Sequence, residues 1–107
     1  MKIAFDLIVT IVNQNYSEKI IRASREAGAE GGTILFGRGT GVHERKKILG
    51  IPIEPEKEIV LTAVPRTLTE KVLGAVVRAG DLNKPGSGIA LVLEIKDVAG
   101  ICHLPYN

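Results

Sequence analysis

The chain has no tryptophan, and its only aromatic residues are two phenylalanines and two tyrosines in 107 positions. Binders of single-stranded nucleic acid stack bases on exposed rings, so this supply argues against that class. Charge of one sign is also scarce. Fourteen Lys and Arg stand against twelve Asp and Glu, a net of +2, which is not the concentrated basic face that non-specific nucleic-acid binding needs. The single cysteine, Cys102, excludes an internal disulfide or a multi-cysteine zinc site and suits a reducing compartment. No apolar run approaches membrane-spanning length. Phe5 to Val12 is greasy enough to resemble the core of a signal peptide, but Asp6 and Thr10 interrupt it and no small-residue cleavage site follows. The expectation is a soluble, cytoplasmic protein.

What is present is 45% hydrophobic residues and 24% charged ones, ordinary proportions for a globular domain. With so few rings, the core must be built from Ile, Val, Leu and Ala. The length suits one domain, taken as residues 1–107.

Four segments read as strands. Phe5 to Val12, Glu58 to Val64 and Ile89 to Ile95 are rich in β-branched residues, and Thr33 to Gly37 is shorter and runs into glycines. Two segments read as helices. The first spans Tyr16 to Ala27, with Asn15 as the expected cap, Ile20, Ala23 and Ala27 at helical spacing and Gly28 as the stop. The second opens on Thr67-Leu68-Thr69-Glu70, a capping-box pattern, carries Val72, Leu73, Val76 and Ala79 on one side, and stops at Gly80. The order β-α-β, β-α-β predicts an α+β, ferredoxin-like βαββαβ fold on a four-stranded antiparallel sheet.

Alternation along the strands divides their side chains. Phe5, Leu7, Val9 and Ile11 share one face with Ile59, Leu61, Ala63 and with Ile89, Leu91, Leu93, Ile95. Ile8, Val12, Val60, Val64 and Val92 share the other, with polar neighbours. Two helices cover one face only. The more apolar face is the expected core, which leaves the Ile8–Val12–Val60–Val64–Val92 face wet in a monomer. A contiguous apolar patch usually marks an interface, and at roughly 25 cal/mol per Å² its burial is worth several kcal/mol. Self-association of the open faces is expected; the alternative cover is the tail from Val98 to Tyr106.

Between the second and third strands lies a loop from Arg38 to Lys57 without helical or strand periodicity. Loops of that length in a compact domain are often functional. It contains the cluster His43, Glu44, Arg45, Lys46, Lys47, suited to ligand phosphate or an acidic partner, and then Ile48, Leu49, Ile51 and Ile53, suited to docking on a neighbouring subunit or a partner protein. The cluster is equally readable as a solvated turn. The second notable loop is Lys84-Pro85-Gly86-Ser87-Gly88. Its glycines allow close backbone approach to an anion, with Lys84 as a positive supplement, although such turns are also ordinary connections. It does not match the P-loop pattern. For catalysis the chain offers only His43, His103 and Cys102, and no metal-ligand set is identified. Cys102 reads as a small packed side chain.

The run Lys84-Pro-Gly-Ser-Gly-Ile-Ala-Leu-Val-Leu-Glu-Ile95, with Gly31-Gly-Thr-Ile34 and Gly39-Thr-Gly41, resembles the P-II nitrogen regulators and P-II-like proteins over nearly the whole chain. That resemblance implies a homotrimer whose sheets enclose a central space. It implies no enzymatic activity and no obligatory cofactor. An adenine nucleotide effector (AMP, ADP or ATP) would lie in inter-subunit clefts. The long loop, the T-loop of that family, would signal to a regulated protein partner such as a membrane transporter or an enzyme of nitrogen metabolism. Carried across, the resemblance places Ile11 near the base pocket and Thr33 near the adenine. It places Arg38, Gly39, Thr40, Gly41 and His43 at the T-loop base, and Lys84, Pro85, Gly86, Ser87 and Gly88 on the phosphate side.

The chain also departs from that pattern. Ser87 stands for an aspartate, Ile89 for a lysine, Gly100 and Cys102 for two arginines and His43 for a glutamine, and the loop has no tyrosine. Loss of three cations weakens the case for a triphosphate. A less charged ligand (AMP, ADP or a different small anion) stays open, with Arg38, Arg45, Lys46 or Lys47 standing in. Two other classes remain open: a structural or metal-tolerance module of the same fold, and a small enzyme.

Overall fold

The computed structural model describes residues 3–41, 46–48, 51–53 and 55–100. In chain order the elements are β1 (Phe5–Asn13), α1 (Ser17–Glu26), β2 (Thr33–Arg38), β3 (Lys46–Ile48), β4 (Ile51–Ile53), β5 (Glu56–Pro65), a 3-10 turn (Arg66–Leu68), α2 (Thr69–Gly80) and β6 (Gly88–Ile95). The main sheet runs β2-β5-β1-β6, with every pairing antiparallel. This is the ferredoxin-like order. β3 and β4 form a separate antiparallel pair within the long loop, Lys46 opposite Ile53 and Ile48 opposite Ile51. The loop therefore contains a ladder that its sequence pattern did not show, because three-residue strands are too short for alternation to register.

Both helices lie on one face of the sheet, and the core forms there from Ile8 and Val12 (β1), Val60 and Val64 (β5), Ile20 (α1), and Val72 and Val76 (α2). This reverses the expected orientation. The face carrying Ile8, Val12, Val60 and Val64 is the core, and the more apolar face is open. The reason lies in the two carboxylates of the core face, which find donors at the helix ends, whereas the Thr10 and Thr62 hydroxyls on that face find no partner. At one end, Asp6 accepts from the Thr69 hydroxyl at 2.8 Å and from Arg66 Nε at 3.0 Å. At the other, Glu58 accepts the Ser17 backbone N–H at 2.9 Å.

The helix starts differ from expectation for the same reason. Asn15 has a left-handed φ of 77°, and no side-chain cap occupies the position before Ser17; the carboxylate of Glu58 serves α1 from a strand forty-one residues away. In α2 the Thr67–Glu70 pattern forms no cap. Its residues contribute to the 3-10 turn and the first helical turn, and Thr69 turns to Asp6. The stops agree with the sequence: Gly28 has φ 117°, and α2 ends at Gly80 before the left-handed Asp81.

Candidate functional site: one end of the sheet and its open face

On the open face the register builds aligned rows of side chains. Leu35, Ile59, Ile11 and Ile89 lie side by side across all four strands. The next row is Thr33, Leu61, Val9 and Leu91, and beyond it come Ala63, Leu7 and Leu93. Of these, Leu35 is 47% exposed, Ile89 49%, Leu91 44% and Leu93 49%. β6 is an edge strand whose Val92 is also exposed on the helix side. Contiguous apolar patches of this kind usually mark interaction sites.

The rows end in a polar patch. β1 stops at Asn13, opposite Lys57, and Lys57 in turn pairs with Gly37 of β2. Lys57 is buried, and its Nζ donates to Asn13 Oδ1 at 2.6 Å. Asn13 Nδ2 donates to the carbonyl of Gly86 at 3.1 Å. The ends of β1 and β2, the start of β5 and the 84–88 loop thus converge. Beside them Gln14, Phe36, Gly37, Arg38, Glu56 and Lys57 line a recess of about 370 Å³. Arg38 lies opposite Glu56, and Gly39 N–H donates to the Pro55 carbonyl at 3.2 Å, closing the base of the long loop.

Glu58, at the same end, sits against the N-terminus of α1. The Ser17 hydroxyl first, then the Asn15 amide, hold its carboxyl below the usual range; burial works the other way, and the amides of Ser17 and Tyr16 add to the lowering. The carboxylate is thus engaged in structure.

Of the residues singled out from sequence, Arg38, Gly39, Thr40, Gly41, Lys84, Pro85, Gly86, Ser87 and Gly88 lie on the segments that meet at this end. Ile11 is in the first open-face row. Thr33 is exposed at the far end of β2, five residues from Arg38 and so about 17 Å along the strand. His43 lies outside the described residues, as do Arg45, Cys102 and His103. Ile89 is exposed on the open face, so the position expected to hold a cation is apolar surface.

Two of the loop glycines have backbone reasons. Ser87 N–H donates to the Lys84 carbonyl with Pro85 second and Gly86 third at φ 83°, the pattern of a type II turn. A Cβ at Gly88, φ 142°, would stand 2.3 Å from the Ile11 carbonyl oxygen. Sequence reasoning missed Asn13, Lys57 and Glu58. The signal was an abrupt change from apolar to polar at the end of β1 and the start of β5, next to the long loop.

Among the described residues, no group of three or more His, Cys, Asp or Glu is placed to hold a metal ion, and no helix is long and apolar enough to cross a membrane.

No protein-family model matches the sequence, and no curated protein is significantly similar to it. Solved structures are similar. The GlnK–ATP complex of B. subtilis superposes with a TM-score of 0.72 at 18% identity, covering 92% of this chain and 90% of that one. Arabidopsis thaliana PII bound to citrate gives 0.69 at 20% identity, over 92% and 81%.

The fold is P-II-like.

A Bacillus cereus protein related to NIF3 contains the same fold, with a TM-score of 0.71 at 21% identity over 91% of this chain; the chain spans only 27% of that larger protein. In the P-II-like frame the long loop from Arg38 occupies the T-loop position. The residues gathered around Asn13 and Lys57 form the base from which it leaves and returns.

Proposed function

We propose that the chain is a P-II-like signalling protein and not an enzyme. In this reading it assembles as a homotrimer through the open sheet face, takes a small anionic effector in the clefts so formed, and regulates a protein partner through the long loop. The observation that carries this is the row Leu35–Ile59–Ile11–Ile89, which runs from one sheet edge to the other and lies beside the convergence of the two loops. An assembly built on that row brings a neighbour's surface to the Asn13–Lys57 end.

The effector proposed is an adenine nucleotide. The fold supports this, since one similar structure is an ATP complex and another holds citrate. Among the described residues, Arg38 and Lys84 are the exposed cations at this end, and Ile89 is apolar. AMP or ADP therefore fits better than ATP. Regulation in nitrogen metabolism or transport, in the cytoplasm, completes the reading.

Light scattering on the purified chain tests the assembly, with three times the chain mass expected. A thermal-shift series with AMP, ADP, ATP, citrate and 2-oxoglutarate tests the effector; ligand at a hundred times its dissociation constant adds about 2.7 kcal/mol. A stable monomer overturns the whole reading. A second reading, an oligomerisation module without nucleotide, is favoured by the backbone reasons for Gly86 and Gly88. A trimer indifferent to every nucleotide selects it.

A further inference from the structure

We propose that Asn13 is a latch that couples the return limb of the long loop to the 84–88 loop. The two loops are separated by nearly thirty residues of chain and belong to strands on opposite sides of β1. One side chain spans them. Its oxygen takes the ammonium of Lys57 at 2.6 Å, and its nitrogen donates to the Gly86 carbonyl at 3.1 Å. An amide fits because it offers an acceptor and a donor from one planar group. Aspartate would keep the first contact and lose the second, and serine or threonine is shorter.

The two contacts support each other. Lys57 carries a charged ammonium, so its part-buried bond to the amide oxygen is charge-assisted and fixes which way the amide faces. With the oxygen committed to Lys57, the nitrogen is aimed at Gly86. That carbonyl belongs to the third residue of a tight turn, so holding it holds the turn. Displacing Lys57 frees the amide to rotate, and the 84–88 turn loses its tether although Lys57 does not touch it. Pulling the turn away loosens Lys57 in the same measure, since coupling between two sites is reciprocal. The latch has two arrangements, bridged and released, and each loop biases it.

The consequence for signalling, that a ligand at the 84–88 loop is felt at the base of the long loop, rests on the function proposed above. The latch itself does not, and its test uses ligand-free protein. Hydrogen exchange is followed in peptides covering 82–90 and 55–60 for the native chain, Asn13→Ala, Asn13→Asp and Lys57→Met. In Lys57→Met, exchange in 82–90 is expected to rise about five-fold or more, the loss of one hydrogen bond's worth of protection. Asn13→Asp is expected to loosen 82–90 while 55–60 stays protected. Asn13→Ala loosens both, and adding Lys57→Met to it gives no further rise in 82–90.

Unchanged exchange of 82–90 in Lys57→Met overturns the latch, as does a further rise in the double variant. Asn13→Asp keeps a partner for Lys57, so it separates the two contacts even where Lys57→Met is too unstable to measure; equal loosening of both peptides in it also overturns the proposal. Failure of every nucleotide to bind would remove the signalling role and leave these exchange results standing.

Discussion

Glu58, on β5, accepts the backbone N–H of Ser17 at 2.9 Å and so caps a helix from across the sheet. It stands next to Lys57, which reaches the end of β1 through Asn13. Two consecutive residues thus tie the return of the long loop to α1 on one face of the sheet and to β1 on the other.

Replacing Glu58 with alanine removes that cap. A lost helix cap typically costs about 1 kcal/mol, and the expected result is a lower urea midpoint with helix α1 fraying first. Circular dichroism and exchange in residues 17–26 would show it; an unchanged midpoint would contradict the assignment.

Acid should destabilise the fold through two carboxylates. Glu58 is lowered chiefly by the Ser17 hydroxyl and Asp6 chiefly by that of Thr69, with Arg66 assisting and burial opposing. A carboxyl whose native pKa lies below its unfolded one stabilises the fold above the unfolded value, about 4. That contribution is lost as pH falls through the lowered native value. Stability should therefore be level with respect to these two groups near neutrality and decline below about pH 4. Glu58→Gln should show a smaller acid-induced loss. An identical slope in both proteins would sink the claim.

Gly86 and Gly88 should differ under substitution by alanine. At Gly86 the left-handed turn position costs roughly 1–2 kcal/mol. At Gly88 the added carbon meets the Ile11 carbonyl oxygen at 2.3 Å, so β6 must shift against β1 and the loss should exceed that at Gly86. Denaturant midpoints of the two variants give the order directly.

Charge on the open face should dissolve the proposed assembly and spare the fold. Leu91→Lys puts an ammonium on a strand position that is exposed in the isolated chain, so monomers with native circular dichroism are expected. Val60→Lys, on the buried face, should prevent folding. If Leu91→Lys assembles as the native chain does, the open face is not the interface.

Thr10 and Thr62 each bury a hydroxyl without a hydrogen-bond partner. An unpaired buried hydroxyl costs about 1–3 kcal/mol, and valine has nearly the same shape. Thr62→Val should raise the melting temperature, by about 1 kcal/mol in stability. A loss would mean the hydroxyl has work that the fold does not reveal.

The elements were legible in the chain because local chemistry sets them. The runs at Phe5, Glu58 and Ile89 alternate as strands do, the Val72–Val76 stripe is helical, and Gly28 and Gly80 mark real stops. The loops of the candidate site were also visible, as Gly39–Gly41 and Lys84–Gly88. Their joining was not. Asn13 and Lys57 are forty-four residues apart, and no local pattern announces a contact of that kind.

The βαββαβ order, the greasiness of both sheet faces and the surplus of apolar surface over what two helices can cover followed from the amino acids alone, since periodicity and composition are local properties. Which face the helices took was decided only in three dimensions. The face with fewer apolar residues became the core because Asp6 and Glu58 find donors at the ends of α2 and α1, and a polar group that is satisfied no longer resists burial. That is a property of contacts between distant segments, and it exists only once the chain has folded.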